Sequence, residues 1–283
     1  GGHVIASRGL WYWYSQADLV MLGRILHASL LGYYSVAAQL AMLPASKAME
    51  AVNRVAFPIL SRLQSDRVAL AEVHRRLIAL LALYGFGLCW GLGAVADELV
   101  EVLLGEKWAG ASWPLACLSF VAPLRAICSL HNTITTAVGQ PEAATKELAL
   151  ASAVMPLAVA YGAWTQGLMG AALAWPLAYP VVYLLSNHLT CRAVGVHDWT
   201  GIRAMLAPVG AGLVMQVVVW FAGETFDAPG TSTGALLAGE IVLGALTYLA
   251  ALWLTARRLL LDAFALALEL FGRKKEAAGE PAA

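Results

Sequence analysis

Lys47, Glu50 and Arg54 are spaced three and four residues apart in a stretch otherwise apolar enough to lie in a membrane. That spacing stacks them on one face of a helix. Asn53 sits beside them, and Asp18 and Arg125 lie in two further apolar stretches. An ionised side chain in hydrocarbon costs roughly 2.5–3.5 kcal/mol on insertion scales, so one that persists there needs a partner or a function. Two readings follow. Glu50 can neutralise Lys47 and Arg54, a pairing that makes insertion tolerable. Even then one cation is left over, and Arg125 adds another. Surplus cations facing a water-filled cavity suit an anionic ligand, above all phosphate, which arginine grips with two parallel hydrogen bonds and lysine as a point charge. On this second reading Asp18, Lys47, Glu50, Asn53, Arg54 and Arg125 are substrate-cavity or ion-coupling candidates.

Other chemistry is scarce. No G-x-S-x-G, H-E-x-x-H or Walker A pattern occurs, so no catalytic residue is assigned and the chain is not read as an enzyme. His188, Cys191, His197 and Asp198 cluster but match no zinc spacing, and no metal or other cofactor is expected. His131 and Asn132 read as a polar pair bonding neighbouring helices. The four cysteines, Cys89, Cys117, Cys128 and Cys191, form no CxxC pair and read as buried thiols.

The elements that must hold these residues are membrane helices. The 283 residues are 60% hydrophobic and 13% charged, with a mean hydropathy of +0.70. Soluble domains carry about 25% charged residues. A formal net charge of zero argues against nucleic acid as a partner. A spanning helix needs about 20 mostly apolar residues. Leu148–Cys191 contains no Asp, Glu, Lys or Arg and is long enough for two spans, turning near Thr165-Gln166-Gly167 through Gly170. With Val4–Gly23, Leu31–Phe57, Leu77–Ala96, Trp113–Val138, Ala204–Gly223 and Ile241–Ala256, the count is eight. Thirteen of the eighteen Lys and Arg residues fall on one set of connecting segments, two on the opposite set and three within spans. By the positive-inside rule both ends of the chain are cytoplasmic. Asp18 then lies in the outer half of its span, and Lys47 through Arg54 in the inner half of theirs. Gly272–Ala283, charged and rich in small residues, reads as a disordered tail.

Several short motifs carry a resemblance. Asp18-Leu-Val-Met-Leu-Gly23, Leu31-Gly32-Tyr33, Ala37, Pro44 and Val55-Ala-Phe-Pro58 with Ser61-Arg62-Leu63 come first. Leu104-Gly105-Glu-Lys-Trp108 with Ala111 and Pro114, Ala137-Val-Gly139-Gln-Pro141 with Lys146, and Gly167-Leu-Met-Gly170 follow in order. Together they resemble the polysaccharide transporter family of the multidrug/oligosaccharidyl-lipid/polysaccharide exporter superfamily, whose members include Wzx-type flippases for O-antigen and exopolysaccharide units. The resemblance implies an all-α, polytopic bundle of about eight transmembrane helices: the second lobe of a two-lobe exporter, plus two extra C-terminal helices. Residues 1–195 would be the six-helix lobe, 196–260 the added pair and 261–283 a cytoplasmic tail. A first lobe is expected as a partner, in keeping with an opening Gly-Gly-His in place of Met.

The implied activity is the flipping of sugar units carried on undecaprenyl pyrophosphate across the bacterial cytoplasmic membrane, by alternating access. The substrate is thus an anionic lipid-linked oligosaccharide, met among membrane lipids. Lys47, Arg54 and Arg125 would line the cavity, while Asp18 or Glu50 would serve coupling to an ion gradient. A drug or metabolite exporter of the same superfamily is the alternative. A membrane-embedded polymerase or ligase should instead show a large outer loop bearing Arg and His, and the longest here, Gly223–Gly234, has neither.

Overall fold

The computed structural model describes the backbone of residues 2–63, 66–226 and 232–277. The side chains of 2–9, 11, 51, 53–55, 57–59, 226 and 264–277 lie outside the described set. Among the described residues the chain is helical throughout, without a strand: α1 Gly2–Ile25, α2 Ala28–Arg62, α3 Arg67–Ala94, α4 Ala96–Leu104, a 3-10 turn Glu106–Ala111, α5 Ser112–Ala137, α6 Pro141–Val194, α7 Trp199–Phe226 and α8 Thr233–Ala277. The protein is a polytopic all-α membrane bundle.

Among the described residues, five helical stretches are long and apolar enough to cross a bilayer by length and composition, in α3, α5 with its 3-10 lead-in, α6, α7 and α8. The 54-residue α6 is two of the expected spans. Its backbone leaves helical geometry at Gln166 and Gly167, where Gly167 takes φ +62°. That is the left-handed region open to glycine. Ser186 hydrogen-bonds Glu147, 39 residues earlier, at 2.9 Å. In a straight helix they would stand about 58 Å apart. The chain therefore doubles back at the predicted turn. Gly162 and Gly170 make the reversal possible, because a methyl group on either would collide with the other's carbonyl oxygen. Helices α1 and α2 are 24 and 35 residues long and so reach spanning length.

Six helical rods make the central bundle. Helix α1 packs on α6, α2 on α5 and α3, and α5 on both α3 and α6. A buried stripe of small residues on α2, Ala37, Ala41 and Ala45, recurs every four positions and lets the backbones approach. The later pair is attached at the side, α7 on α3 and α8 on α7. Polar clips fix it: Gln216 donates to the Trp90 carbonyl at 3.0 Å, and the Tyr248 hydroxyl to the Leu83 carbonyl at 2.7 Å. All four cysteines are buried.

Two details differ from expectation. The third span does not stop at Ala96: the helix breaks at Val95 and restarts as α4, with Asp97 and Glu98 in its first turn. Acidic groups there complement the helix dipole. The tail predicted as disordered from Gly272 is helical to Ala277, where Arg273, Lys274, Lys275, Glu276 and Ala277 all favour helix. Earlier in α8, Ala256 is non-helical, so the apolar span ends in a kink just before Arg257 and Arg258.

Candidate functional site

On α1, Tyr14 and Asp18 are four residues apart, hence on one face. On the second half of α6, Trp175, Tyr179 and Tyr183 repeat at the same spacing. Packing of α1 against α6 and of α2 against α5 brings these faces together with Tyr34 and Arg125. The Tyr34 hydroxyl donates to Asp18 Oδ2 at 3.1 Å and accepts from Trp175 Nε1 at 2.7 Å. Asp18 Oδ1 accepts from the Leu19 amide at 2.8 Å. One carboxylate, one phenol and one indole are thus linked across α1, α2 and α6. Tyr34 and Trp175 are buried.

Arg125 of α5 lies against this network. Its guanidinium carbon is 4.5 Å from the centre of the Trp175 ring, a cation–π distance. The carboxylate of Asp18 and the phenols of Tyr14, Tyr34 and Tyr179 surround it within electrostatic range. Among the described residues, however, no carboxylate forms an ion pair with it and no group accepts its hydrogen bonds. By side-chain exposure Arg125 is only partly buried. A planar, permanently charged fork, held flat by an indole and with its donors unspent, is shaped to take a phosphate or carboxylate.

Asp18, Tyr34 and Trp175 lie six to eight residues from the end of α1, the start of α2 and the turn in α6, respectively. At 1.5 Å per residue that is about 10 Å from one end of the bundle. The Tyr33 hydroxyl bonds the Lys107 carbonyl at 3.0 Å, which brings the 3-10 turn to the same end.

The other expected residues sit elsewhere. Lys47 and Glu50 form an ion pair at 3.8 Å on the outward face of α2, with side chains 73% and 53% exposed. The pairing reading thus holds for these two, but both point away from the six-helix core. Gln39, Leu43 and Ser46 share that exposed face. The side chains of Asn53 and Arg54 lie outside the described residues. His131 bonds a neighbouring helix as expected, its Nδ1 being 3.0 Å from Ser186 Oγ. His188 pairs with Asp198 at 2.7 Å, and Cys191 Sγ contacts Asn187 Oδ1 at 3.8 Å. Tyr14, Tyr34, Trp175 and Tyr179 were not among the sequence candidates. The signal for Trp175 and Tyr179 was the four-residue repeat of polar-tipped aromatics on α6.

A family model described as "Polysaccharide biosynthesis protein" matches residues 1–113. The teichuronic acid biosynthesis protein TuaB of Bacillus subtilis is 25% identical over 232 residues, covering 82% of this chain and 48% of its own. The succinoglycan biosynthesis transport protein ExoT of Rhizobium meliloti is 28% identical, covering 87% of this chain and 50% of its own. The lipopolysaccharide biosynthesis protein WzxC of Escherichia coli is 24% identical, with 69% and 39% covered. Among solved structures, the lipid II flippase MurJ in an inward closed conformation superposes with a TM-score of 0.72 at 15% identity, over 90% of this chain and 53% of the other. That likeness establishes the fold. The chain spans about half the length of the relatives it matches. These matches bear out the resemblance to the polysaccharide transporter family.

Proposed function

We propose that this chain, similar in sequence to polysaccharide transporters and in fold to a lipid flippase, is the second lobe and added helix pair of an exporter. Its cargo would be a lipid-linked oligosaccharide, flipped across the bacterial cytoplasmic membrane for surface polysaccharide synthesis. Residues 1–195 form the lobe and 196–260 the added pair. Both ends of the segment are cytoplasmic on the distribution of Lys and Arg. The observation that carries the reading is Arg125, a cation on Trp175 with free hydrogen-bond donors inside a membrane bundle. It supports recognition of an anion, and the anion assigned to it in this reading is the pyrophosphate of an undecaprenyl-linked sugar chain.

The outward face of α2 supports a second feature. Gln39, Ser46, Lys47 and Glu50 form a polar strip directed away from the core of this lobe. On a lipid-facing helix such a strip is costly. Against a partner lobe it becomes half of a wetted cavity wall, with Lys47 and Arg54 as further cations. Transport then proceeds by alternating access between the two lobes, and the chain performs no covalent chemistry. The test is glycan export by the full-length protein in cells lacking the native copy. Replacing Arg125 with Gln should abolish surface glycan at normal protein level. Full export by that variant would refute the reading.

A further inference from the structure

Near the end of the bundle opposite the α6 turn, four helices meet around a second polar group. Glu147 lies on the first half of α6, Ser186 on the second half, His131 on α5 and His74 on α3. All four are buried: His74 and His131 are fully enclosed, Ser186 is 1% exposed and Glu147 5%. The Ser186 hydroxyl donates to Glu147 Oε2 at 2.9 Å. Its one proton is thereby used, so at the 3.0 Å contact it accepts from His131 Nδ1–H. With Glu147 ionised, this accounting makes His131 the Nδ1–H tautomer and leaves Nε2 a bare acceptor.

That acceptor has no partner, and neither ring nitrogen of His74 has one. The two imidazoles stack with centroids 6.0 Å apart and planes 24° from parallel. Each unsatisfied buried polar atom costs about 1–3 kcal/mol. Three of them beside an enclosed carboxylate do not serve stability.

From these contacts we infer that Glu147, Ser186, His131 and His74 form a proton-binding relay inside the lobe, loaded and emptied as the helices part and close. The coupling role rests on the transporter reading above; the binding of the proton does not. A proton taken up on His131 Nε2 makes the ring an imidazolium. Its Nδ1 proton passes to Ser186 Oγ as the Ser186 proton passes to Glu147 Oε2. The products are a neutral His131 with hydrogen on Nε2, an intact Ser186 and a neutral carboxylic acid. Both hydrogen bonds have then reversed direction, Glu147 donating to Ser186 and Ser186 to His131 Nδ1. No charge remains in the enclosed state. His74, whose ring stacks on that of His131, is the group placed to deliver the proton when α3 separates from α5.

Enclosure, rather than the charge of the groups facing this site, favours a neutral loaded form. Cys128 and Arg125 approach from α5, Tyr179 and Tyr183 from α6 and Tyr14 from α1. None of them forms an ion pair with Glu147 among the described residues. A bare carboxylate enclosed here would be heavily penalised, and protonation relieves that penalty.

The test uses the full-length protein in vesicles of phosphatidylethanolamine and phosphatidylglycerol. Infrared difference spectra between acidic and alkaline buffer should show a protonated-carboxyl band that vanishes in Glu147→Gln and persists in Asp18→Asn. Persistence of that band in Glu147→Gln would overturn the site. Ser186→Ala keeps the carboxylate and little disturbs packing. In that variant nitrogen-15 spectra of the histidines should lose the tautomer change of His131 seen with pH in the native protein. An unchanged tautomer response in Ser186→Ala would equally overturn the relay. If the carboxyl band behaves as described while glycan flipping is absent from the native protein, the transporter reading fails and the proton site stands. If flipping by Glu147→Gln still follows a proton gradient, the coupling role falls.

Discussion

The guanidinium of Arg125 lies on the face of Trp175, 4.5 Å from its centre, and the indole nitrogen of the same ring is hydrogen-bonded to Tyr34. Trp175 therefore does two jobs with two parts of one side chain. Its edge ties α6 to α2, and its face holds a cation in place without using that cation's hydrogen bonds. A carboxylate in the same position would have consumed them.

Substitutions at Arg125 should separate charge from shape. Lysine retains the charge but neither stacks flat nor offers a fork. A charge-assisted hydrogen bond is worth about 1.5–3 kcal/mol. Losing about 2 kcal/mol corresponds to roughly 30-fold weaker binding. Arg125→Lys should cut export partially and Arg125→Gln almost completely, as read by surface glycan staining at matched expression. Equal export by the two variants would remove the case for bidentate recognition.

Tyr34→Phe should destabilise the bundle. It leaves the Trp175 N–H and one Asp18 oxygen without partners in a buried setting, at about 1–3 kcal/mol each. Thermal unfolding in detergent should show a lowered midpoint. Asp18→Asn keeps an acceptor for Tyr34 and should unfold close to the native midpoint. The reverse order of stabilities would mean that the network does not hold α1, α2 and α6 together.

The reversal in α6 rests on glycine. Gly162→Ala or Gly170→Ala places a methyl group against a backbone carbonyl that cannot swing aside. Overpacking of this kind costs about 1–3 kcal/mol. Both variants should lower protein yield in the membrane and unfold early, whereas Gly239→Ala, with open space around it, should not.

Much of this was legible from the chain itself. Two spans within Leu148–Cys191, with their turn at Gly167, followed from the absence of charge and the glycine. Asp18 and Arg125 stood out because ions within apolar runs are rare. Tyr34, Trp175 and Tyr179 were hidden for the opposite reason: aromatic residues are ordinary in membrane helices, and their polar tips matter only once α1, α2, α5 and α6 are packed. The same holds for Glu147. It sits next to Lys146 at the edge of a span and reads as part of a solvated loop, yet the fold buries it under Ser186. Lys47 and Glu50 show the reverse. Their spacing predicted a shared face, which is observed, but not that this face points outward.

The Lys47–Glu50 pair should add little to stability. An exposed ion pair contributes about 0–1 kcal/mol. Lys47→Ala should leave the unfolding midpoint within error while reducing glycan export, if the outward face of α2 lines a cavity. A lowered midpoint with normal export would assign the pair a structural role only.

The central claim is that Arg125 binds the anionic head of a lipid-linked glycan, and binding measures this more directly than export. Full-length protein should be titrated with an undecaprenyl-pyrophosphate-linked oligosaccharide and followed by native mass spectrometry. The account predicts a bound state in the native protein that is weakened at least about tenfold in Arg125→Gln, a difference of about 1.4 kcal/mol. It also predicts no loss when the same variant is titrated with the uncharged undecaprenyl-linked alcohol. Equal affinity of native and Arg125→Gln protein for the pyrophosphate-linked glycan would contradict it.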